Sequence, residues 1–419
     1  MWMRMGRRAR GVVQAGFVAA GLAAPGAAFA DPISILFIGN SYTFGNVGAA
    51  PAYNRDGVRD LTAPTQPGFE NQQGTNVYQT RPWGGVPGIF KTLTEQAGLD
   101  FDVAHSTRNA ASLRGHYLNS NPAGWNLRGN LASQRWDHVV LQEQSAEPLP
   151  PRTSTNGATG GSPAVFNAYA TLLAEYARSQ SANRSFTETQ LFGSQAACQA
   201  ATGNSANTCN NTVRNIPGNP NTNPDTQVHL QQTWARPNLI AGGFVTTTDQ
   251  TTGVVTRTTT PITGPYPAAT GLEEMTEHLR AANAALLAGR PDLFASVAPV
   301  GEAFLNAVLD GIATRNMYAP DALIDGLIDL WFDDGTHASK WGSYLSALTI
   351  FSTVTGRDPR FGGDERAAAD LGISGREAIL LQQIAAETLG FPVPAPGAAP
   401  LFLVGLVALG ALRARRRAA

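Results

Sequence analysis

An α/β fold is predicted for this 419-residue chain, as a three-layer α/β/α sandwich with a central parallel sheet and loop insertions. Three features predict it. Short β-branched or apolar runs of strand length recur along the chain, longer segments of helical period lie between them, and a few polar stretches interrupt the rhythm. Short strands separated by helices point to a parallel sheet covered on both faces. Residues 33–38 read as the first strand, and residues 86–97, with Pro87 near the start, as a helix. Residues 101–104 and 138–141 give the next two strands. Residues 164–178 carry Val165, Tyr169, Leu172, Leu173 and Tyr176 at helical spacing. Residues 228–232 and 294–297 read as further strands, and residues 272–288, 302–313 and 341–354 as helices.

Residues 53–81, rich in Gly, Pro, Asn and Gln, do not fit that rhythm. Residues 181–226 are richer still in Asn, Thr, Ser and Gly. Neither stretch has enough apolar residues for a core of its own, so both are expected as surface insertions. Residues 246–267 are threonine-rich and are expected to form an exposed hairpin.

The ends carry separate signals. Arg4, Arg7, Arg8 and Arg10 precede an apolar segment that closes on Ala28-Phe29-Ala30. This pattern predicts a signal peptide over residues 1–30, with the body of the protein over residues 31–390. At the other end Val393-Pro394-Ala395-Pro396 precedes an apolar run from Ala398 to Leu412, closed by Arg413, Arg415, Arg416 and Arg417. That order resembles the PEP-CTERM sorting signals of exported bacterial proteins. The resemblance covers residues 393–419 and implies a membrane helix with its arginines in the cytoplasm, removed by a sorting protease. A plain tail anchor is the alternative. Either way the body is expected outside the cytoplasm (periplasm, cell surface or medium), touching a membrane only through its terminal segments.

With a net charge of −1 and 15% charged residues, no basic field invites nucleic acid. Cys198 and Cys209 have ten residues between them and, in an exported chain, are expected to form a disulfide. His105, His138, His229 and His278 show no tight ligand spacing, so neither metal nor cofactor is expected.

Two segments almost three hundred residues apart carry the chemistry. Gly39-Asn40-Ser41-Tyr42-Thr43 puts Ser41 just beyond the first strand, where a tight turn projects it above the sheet edge. Asp334-Gly335-Thr336-His337 places a carboxylate three residues before a histidine. A serine hydroxyl needs a base to take its proton, and that base needs a partner to fix its tautomer. Each segment alone is ambiguous, since Asn and Ser after a strand, or Asp before Gly-Thr, often cap a helix. Asp333 competes with Asp334, which is favoured by its spacing.

Gly-x-Ser-x-Thr near the start and Asp-x-x-His near the end resemble the first and last sequence blocks of the SGNH (GDSL-like) hydrolases, over roughly residues 33–357. The resemblance implies a flavodoxin-like sandwich and hydrolysis of lipid or carbohydrate esters. It implies Ser41 as nucleophile and oxyanion-hole N–H donor, His337 as base and Asp334 as its orienter. Asn40 stands where many members have aspartate. The second block's oxyanion glycine is matched by Ala110 in Asn109-Ala110-Ala111-Ser112-Leu113, and an alanine N–H is expected to serve if its φ is negative. The third block's asparagine is matched by Gln142 or Gln144 in Leu141-Gln142-Glu143-Gln144-Ser145, with Gln142 favoured. The phrases Leu-Gln-Glu-Gln-Ser, Thr233-Trp234-Ala235-Arg236-Pro237 and His337-Ala338-Ser339 are similar to a less studied branch of secreted bacterial members. Trp234 and Arg236 are candidates for the pocket, Arg236 toward an anionic substrate group, or else for the core and its rim. His116 is a pocket or a surface residue.

The expectation is an exported serine esterase removing an acyl group, acetyl among the candidates, from a small-molecule or polysaccharide ester. An acyltransferase of the same fold and a non-catalytic glycan-binding protein are the alternatives.

Overall fold

The first strand, β1 (Ile33–Gly39), buries every residue after Ile33, as a strand covered on both faces must. The computed structural model describes residues 31–45, 50–62, 82–120, 126–154, 157–158, 160–242, 244–248, 255–261, 263–319, 322 and 324–392. From Ile33 onward these residues belong to one compact unit. The other strands of its main sheet are β2 (Arg59–Asp60), β3 (Phe101–Thr107), β4 (His138–Gln142), β5 (Gln227–Gln231) and β6 (Phe294–Ala298). Their order is β6-β5-β4-β1-β3-β2, and every neighbouring pair is parallel.

Successive side chains of a strand point to opposite faces, and β1 feeds two separate cores. Ile35 and Phe37 join one cluster with Val103 of β3 and Val140 of β4. Leu36 and Ile38 join the other with Ala104, Val139 and Leu141. Several helices cover the first face: α2 (Gly85–Gln96), α5 (Gly271–Gly289), α6 (Val300–Leu309), α7 (Lys340–Thr355) and α8 (Gly375–Thr388). On the second face lie α3 (Leu113–Leu118) and α4 (Pro163–Arg178). The short α1 (Ser41–Phe44) follows β1 directly. The three-layer α/β/α sandwich is therefore the fold.

Departures from the sequence expectation have local causes. β3 runs three residues past 104, because Ser106 and Thr107 stay in register with Ile38 and Gly39 despite their polarity. α6 stops at Leu309, well before residue 313, where Asp310 caps it and Gly311 takes a φ of 67°. The sequence reading assigns no helix to residues 375–388, where α8 opens on a capping box between Ser374 and Glu377. An antiparallel pair, Phe244–Thr248 with Val255–Pro261, overlaps residues 246–267 and begins two residues before them. Most of residues 53–81, the signal-peptide region and the C-terminal sorting region fall outside the described residues. Among the described residues no helix is long and apolar enough to cross a membrane.

The 181–226 insertion has more internal order than its composition suggests. The strands Arg184–Thr187 and Val213–Ile216 pair antiparallel, and three short helices lie between them. A Cys198–Cys209 disulfide joins two of those helices. Ile216 is buried in the second-face core, with Phe186, Leu191 and Phe192 packed against it. Polar ties add to this, and one of them centres on a buried carboxylate. Glu188, fully buried, accepts both arms of the Arg114 guanidinium at 2.7 and 2.9 Å, the hydroxyl of Tyr169, and bonds from Arg214 and Asn204. Burial alone would raise its pKa, but these partners outweigh it and hold the carboxyl down at about 2.

Removing a buried carboxylate leaves its guanidiniums uncompensated, so Glu188→Ala should lower unfolding stability by about 3 kcal/mol in urea titrations. The native pKa lies below the unfolded one. The wild-type advantage should therefore be complete above pH 4.5 and shrink as the pH falls towards 2.

Candidate active site

The consecutive strands β3 and β4 lie on opposite sides of β1, so the strand order switches direction there, and open α/β sheets form their clefts at such a point. Here the residues following β1, β3, β4 and β5 and those preceding α7 line one cleft of about 170 Å³. In chain order they are Asn40, Ser41 and Tyr42, then Asn109 and Ala110, then Gln144 and Ser145, then Arg236, then Thr336 and His337.

The turn after β1 is built to hold Ser41. A Cβ on Gly39 would come within 2.2 Å of Thr43 Oγ1 and 2.5 Å of Gln142 Oε1, so only glycine lets these groups close over the strand end. Gln142 Oε1 accepts the Asn40 N–H and the Thr43 hydroxyl, each at 2.9 Å. Asn40 caps α1 by accepting the Tyr42 N–H, and its amide donates to Ala111 O. Ser41 is the first residue of that helix, and the first N–H groups of a helix have no partner within it.

The opposite wall is the turn before α7. Asp334 Oδ1 accepts the N–H groups of Thr336 and His337 at 2.8 and 2.9 Å, which folds the segment back on itself. Gly335 sits inside it with a φ of 63°, where an added Cβ would strike the Tyr318 hydroxyl. Ser339, rather than Asp334, caps α7. The remaining Asp334 oxygen, Oδ2, accepts His337 Nδ1–H at 2.6 Å. The Ser41 hydroxyl donates to His337 Nε2 at 2.9 Å. A continuous hydrogen-bond chain thus links Ser41, His337 and Asp334. Burial would raise the Asp334 pKa, but its bonds from His337 and Thr336 outweigh this and keep the carboxyl below its usual range.

An aromatic stack supports the histidine. Tyr42 meets His337 edge-on at 5.7 Å and stacks at 4.2 Å on Trp234, which stacks in turn on Phe304. Trp234 is fully buried, and its indole N–H donates to Thr336 O. Of the two candidates after β5, Trp234 is therefore a core residue behind the site, while Arg236 lines the cleft.

Other sequence-predicted residues are placed differently from expectation. His116 is neither a surface nor a pocket residue: it is fully buried and its Nε2–H donates to Gly39 O at 2.9 Å. Burial, against the pull of that bond, pushes its pKa down to about 4, so it stays neutral while bracing the end of β1. Gln142, favoured as an oxyanion donor, is turned inward: its oxygen closes the β1 turn and its nitrogen donates to Glu143 O. β4 ends at Gln142, so the chain turns there and Gln144, not Gln142, faces the cleft. Ala110 takes a φ of +56°, so the negative φ on which its role as a donor depends is not met. It keeps the left-handed turn that glycine adopts freely, which costs an L-residue about 1–2 kcal/mol.

The sequence assigns no role to Glu143. Fully enclosed, its Oε1 accepts the N–H of Leu113 at 2.9 Å and that of Gln144 at 2.6 Å, tying the loop after β3 to the loop after β4. Burial, reinforced by the neighbouring Glu147 charge, pushes its pKa up to about 8. Asn238 donates to Thr336 Oγ1 from behind the cleft. Among the described residues no group of three or more His, Cys, Asp or Glu side chains is placed to hold a metal ion.

No known family profile matches the chain, and no curated protein does. Among solved structures it is similar to a DUF4886 family protein from Bacteroides uniformis, at 14% identity and a TM-score of 0.42, over 88% of this chain and 99% of that one. It is also similar to a proposed SGNH hydrolase from Slackia heliotrinireducens (17% identity, TM-score 0.36, 77% and 100% covered). A third is Est24, a carbohydrate acetylesterase from Sinorhizobium meliloti (12% identity, TM-score 0.34, 77% and 99% covered).

Two substitutions probe the walls of the cleft. Ala110→Gly should hold or raise the melting temperature, whereas β-branched Ala110→Val should cost ~1 kcal/mol or more, because only glycine is at ease at positive φ. Glu143→Gln keeps an acceptor for both N–H groups and cannot ionise. A carboxyl raised in the native state stabilises fully below its unfolded pKa and loses that contribution as the pH climbs to its native one. From pH 4.5 to 8 the variant should therefore gain on wild type, by on the order of 3 kcal/mol in denaturant titrations.

Proposed function

We propose that this chain is an exported serine esterase that hydrolyses short acyl esters, with carbohydrate esters the favoured class. The observation that carries the proposal is the Ser41–His337–Asp334 hydrogen-bond chain, open to a cleft at the switch point of the sheet. In this mechanism Ser41 Oγ attacks the ester carbonyl as His337 Nε2 takes its proton. Asp334, ionised, holds the histidine in the tautomer that accepts and then stabilises the imidazolium. Collapse of the tetrahedral intermediate expels the alcohol, which receives the proton from His337. Water then attacks the acyl-serine by the same route and restores the free hydroxyl.

The oxyanion needs donors already in place. The backbone N–H of Ser41 and the side-chain amide of Gln144 are the candidates that border the cleft, whereas Ala110, at positive φ, does not meet the condition set for its N–H. The volume of about 170 Å³ supports a short acyl group such as acetyl. Asn40, Asn109, Gln144, Ser145 and Thr336 give it a lining rich in neutral polar groups, which suits a hydroxylated leaving group better than a lipid chain. The Cys198–Cys209 disulfide supports export, since such bonds persist in oxidising compartments. The unbroken chain of hydrogen bonds argues against a vestigial site that only binds glycans.

Purified protein should hydrolyse a short-chain chromogenic ester and be labelled on Ser41 by a fluorophosphonate. Ser41→Ala should reduce kcat by ~10⁴-fold or more, and Asp334→Asn by ~10³–10⁴-fold. A Ser41→Ala rate close to wild type would remove the mechanism. Acyl transfer to an added sugar in preference to water would replace esterase by acyltransferase.

A further inference from the structure

Arg236 shares the cleft with Ser41 and His337, but the hydrogen-bond chain does not use it. Its backbone is set by neighbours on both sides. Trp234 is locked in the aromatic stack, Pro237 starts a tight turn, and the Arg236 N–H meets Met275 Sδ. The guanidinium is then oriented by neutral oxygens only. Nε donates to Asn238 Oδ1 at 3.2 Å and Nη1 to Ser145 Oγ at 3.1 Å. Asn238 is itself anchored on Thr336 Oγ1 at 2.7 Å, one residue before the base.

Among the described residues no carboxylate lies within ion-pair distance of this guanidinium, and Asp334 is taken up by His337 and Thr336. By contrast, Arg315, in a neighbouring cleft, is neutralised by Glu273. A fixed, half-buried cation without a counter-charge is a poor structural element. Guanidiniums bind carboxylates and related anions through their planar fork, with charge-assisted bonds stronger than neutral ones.

We propose that Arg236 recognises an anionic group, a carboxylate in the first instance, carried by the ester substrate next to its scissile bond. The inference rests on the esterase reading and adds the substrate's charge to it. In a cleft this small, an anion on Arg236 lies beside the carbonyl that Ser41 attacks. It therefore belongs either to the acyl group or to the alcohol near the esterified hydroxyl, as in an acylated uronic acid.

Two matched pairs of esters separate these sources. p-Nitrophenyl hemisuccinate against p-nitrophenyl butyrate tests an anionic acyl group, and O-acetyl glucuronic acid against O-acetyl glucose tests an anionic alcohol. The purified full chain should prefer the charged member of one pair by ~10-fold or more in kcat/KM, chiefly through KM. Arg236→Gln should abolish the preference, Arg236→Lys should retain part of it, and added salt should weaken it. No preference in either pair, or a preference that Arg236→Gln keeps, would overturn the inference. If neutral esters are hydrolysed in a Ser41-dependent way without any charge preference, only the inference falls. If the folded protein hydrolyses no ester at all, the esterase reading falls and takes the inference with it.

Discussion

The end of β1 is the point on which the site depends. At Gly39 and Asn40 the chain leaves the sheet with its polar groups committed to three other segments. The Gly39 carbonyl accepts from Arg108 N–H and His116 Nε2–H, the Asn40 N–H goes to Gln142, and the Asn40 amide goes to Ala111 O. The loops after β3 and β4 are therefore tied to the turn that presents Ser41. Buried groups of this kind are costly unless paired, so the network tolerates little rearrangement. Position 39 admits no side chain because the same closeness that makes these bonds leaves no room for a Cβ.

The other wall is held by different forces. The Asp334–His337 turn is closed by its own hydrogen bonds, but its place against Ser41 comes from aromatic packing through Tyr42, Trp234 and Phe304. Two carboxyls near the site are driven in opposite directions. Asp334 is held low by the histidine and N–H groups it meets, whereas Glu143, enclosed and close to the Glu147 charge, is driven up despite its N–H donors. One supplies a negative charge beside the imidazole. The other joins two loops and stays uncharged in mildly acidic surroundings.

Much of the fold was legible because parallel strands buried on both faces leave short apolar runs and their helices leave a clear period. The segments around residues 33, 101, 138, 227 and 294 all showed it, and all form the main sheet. β2 was not legible, since two residues, Arg59 and Asp60, carry no pattern. The order of the insertion after α4 was not legible because it rests on the buried carboxylate of Glu188, one disulfide and a few scattered apolar residues rather than on a periodic pattern. Within the site, spacing alone put Asp334 beside His337, for a three-residue turn is a local matter. The choice between Gln142 and Gln144 was not local: it depends on where β4 stops and on Asn40 and Thr43, which come from the far side of the neighbouring strand. His116 was opaque for the same reason, its partner being a carbonyl 77 residues away.

The hydrogen bond between Ser41 and His337 spans 296 residues of sequence. Contacts of such separation form late, because loop-closure entropy must be overcome before they add any stability. Neither half of this pair has chemistry of its own: Ser41 without the imidazole is an ordinary alcohol, and the Asp334–His337 turn without it has no nucleophile. A chain emerging from the ribosome would thus lack this pair until the turn before α7 docks beside β1. The bonded pair is a property of the finished tertiary structure, and on the esterase reading the return of activity during refolding would time the docking of the α7 turn against the end of β1.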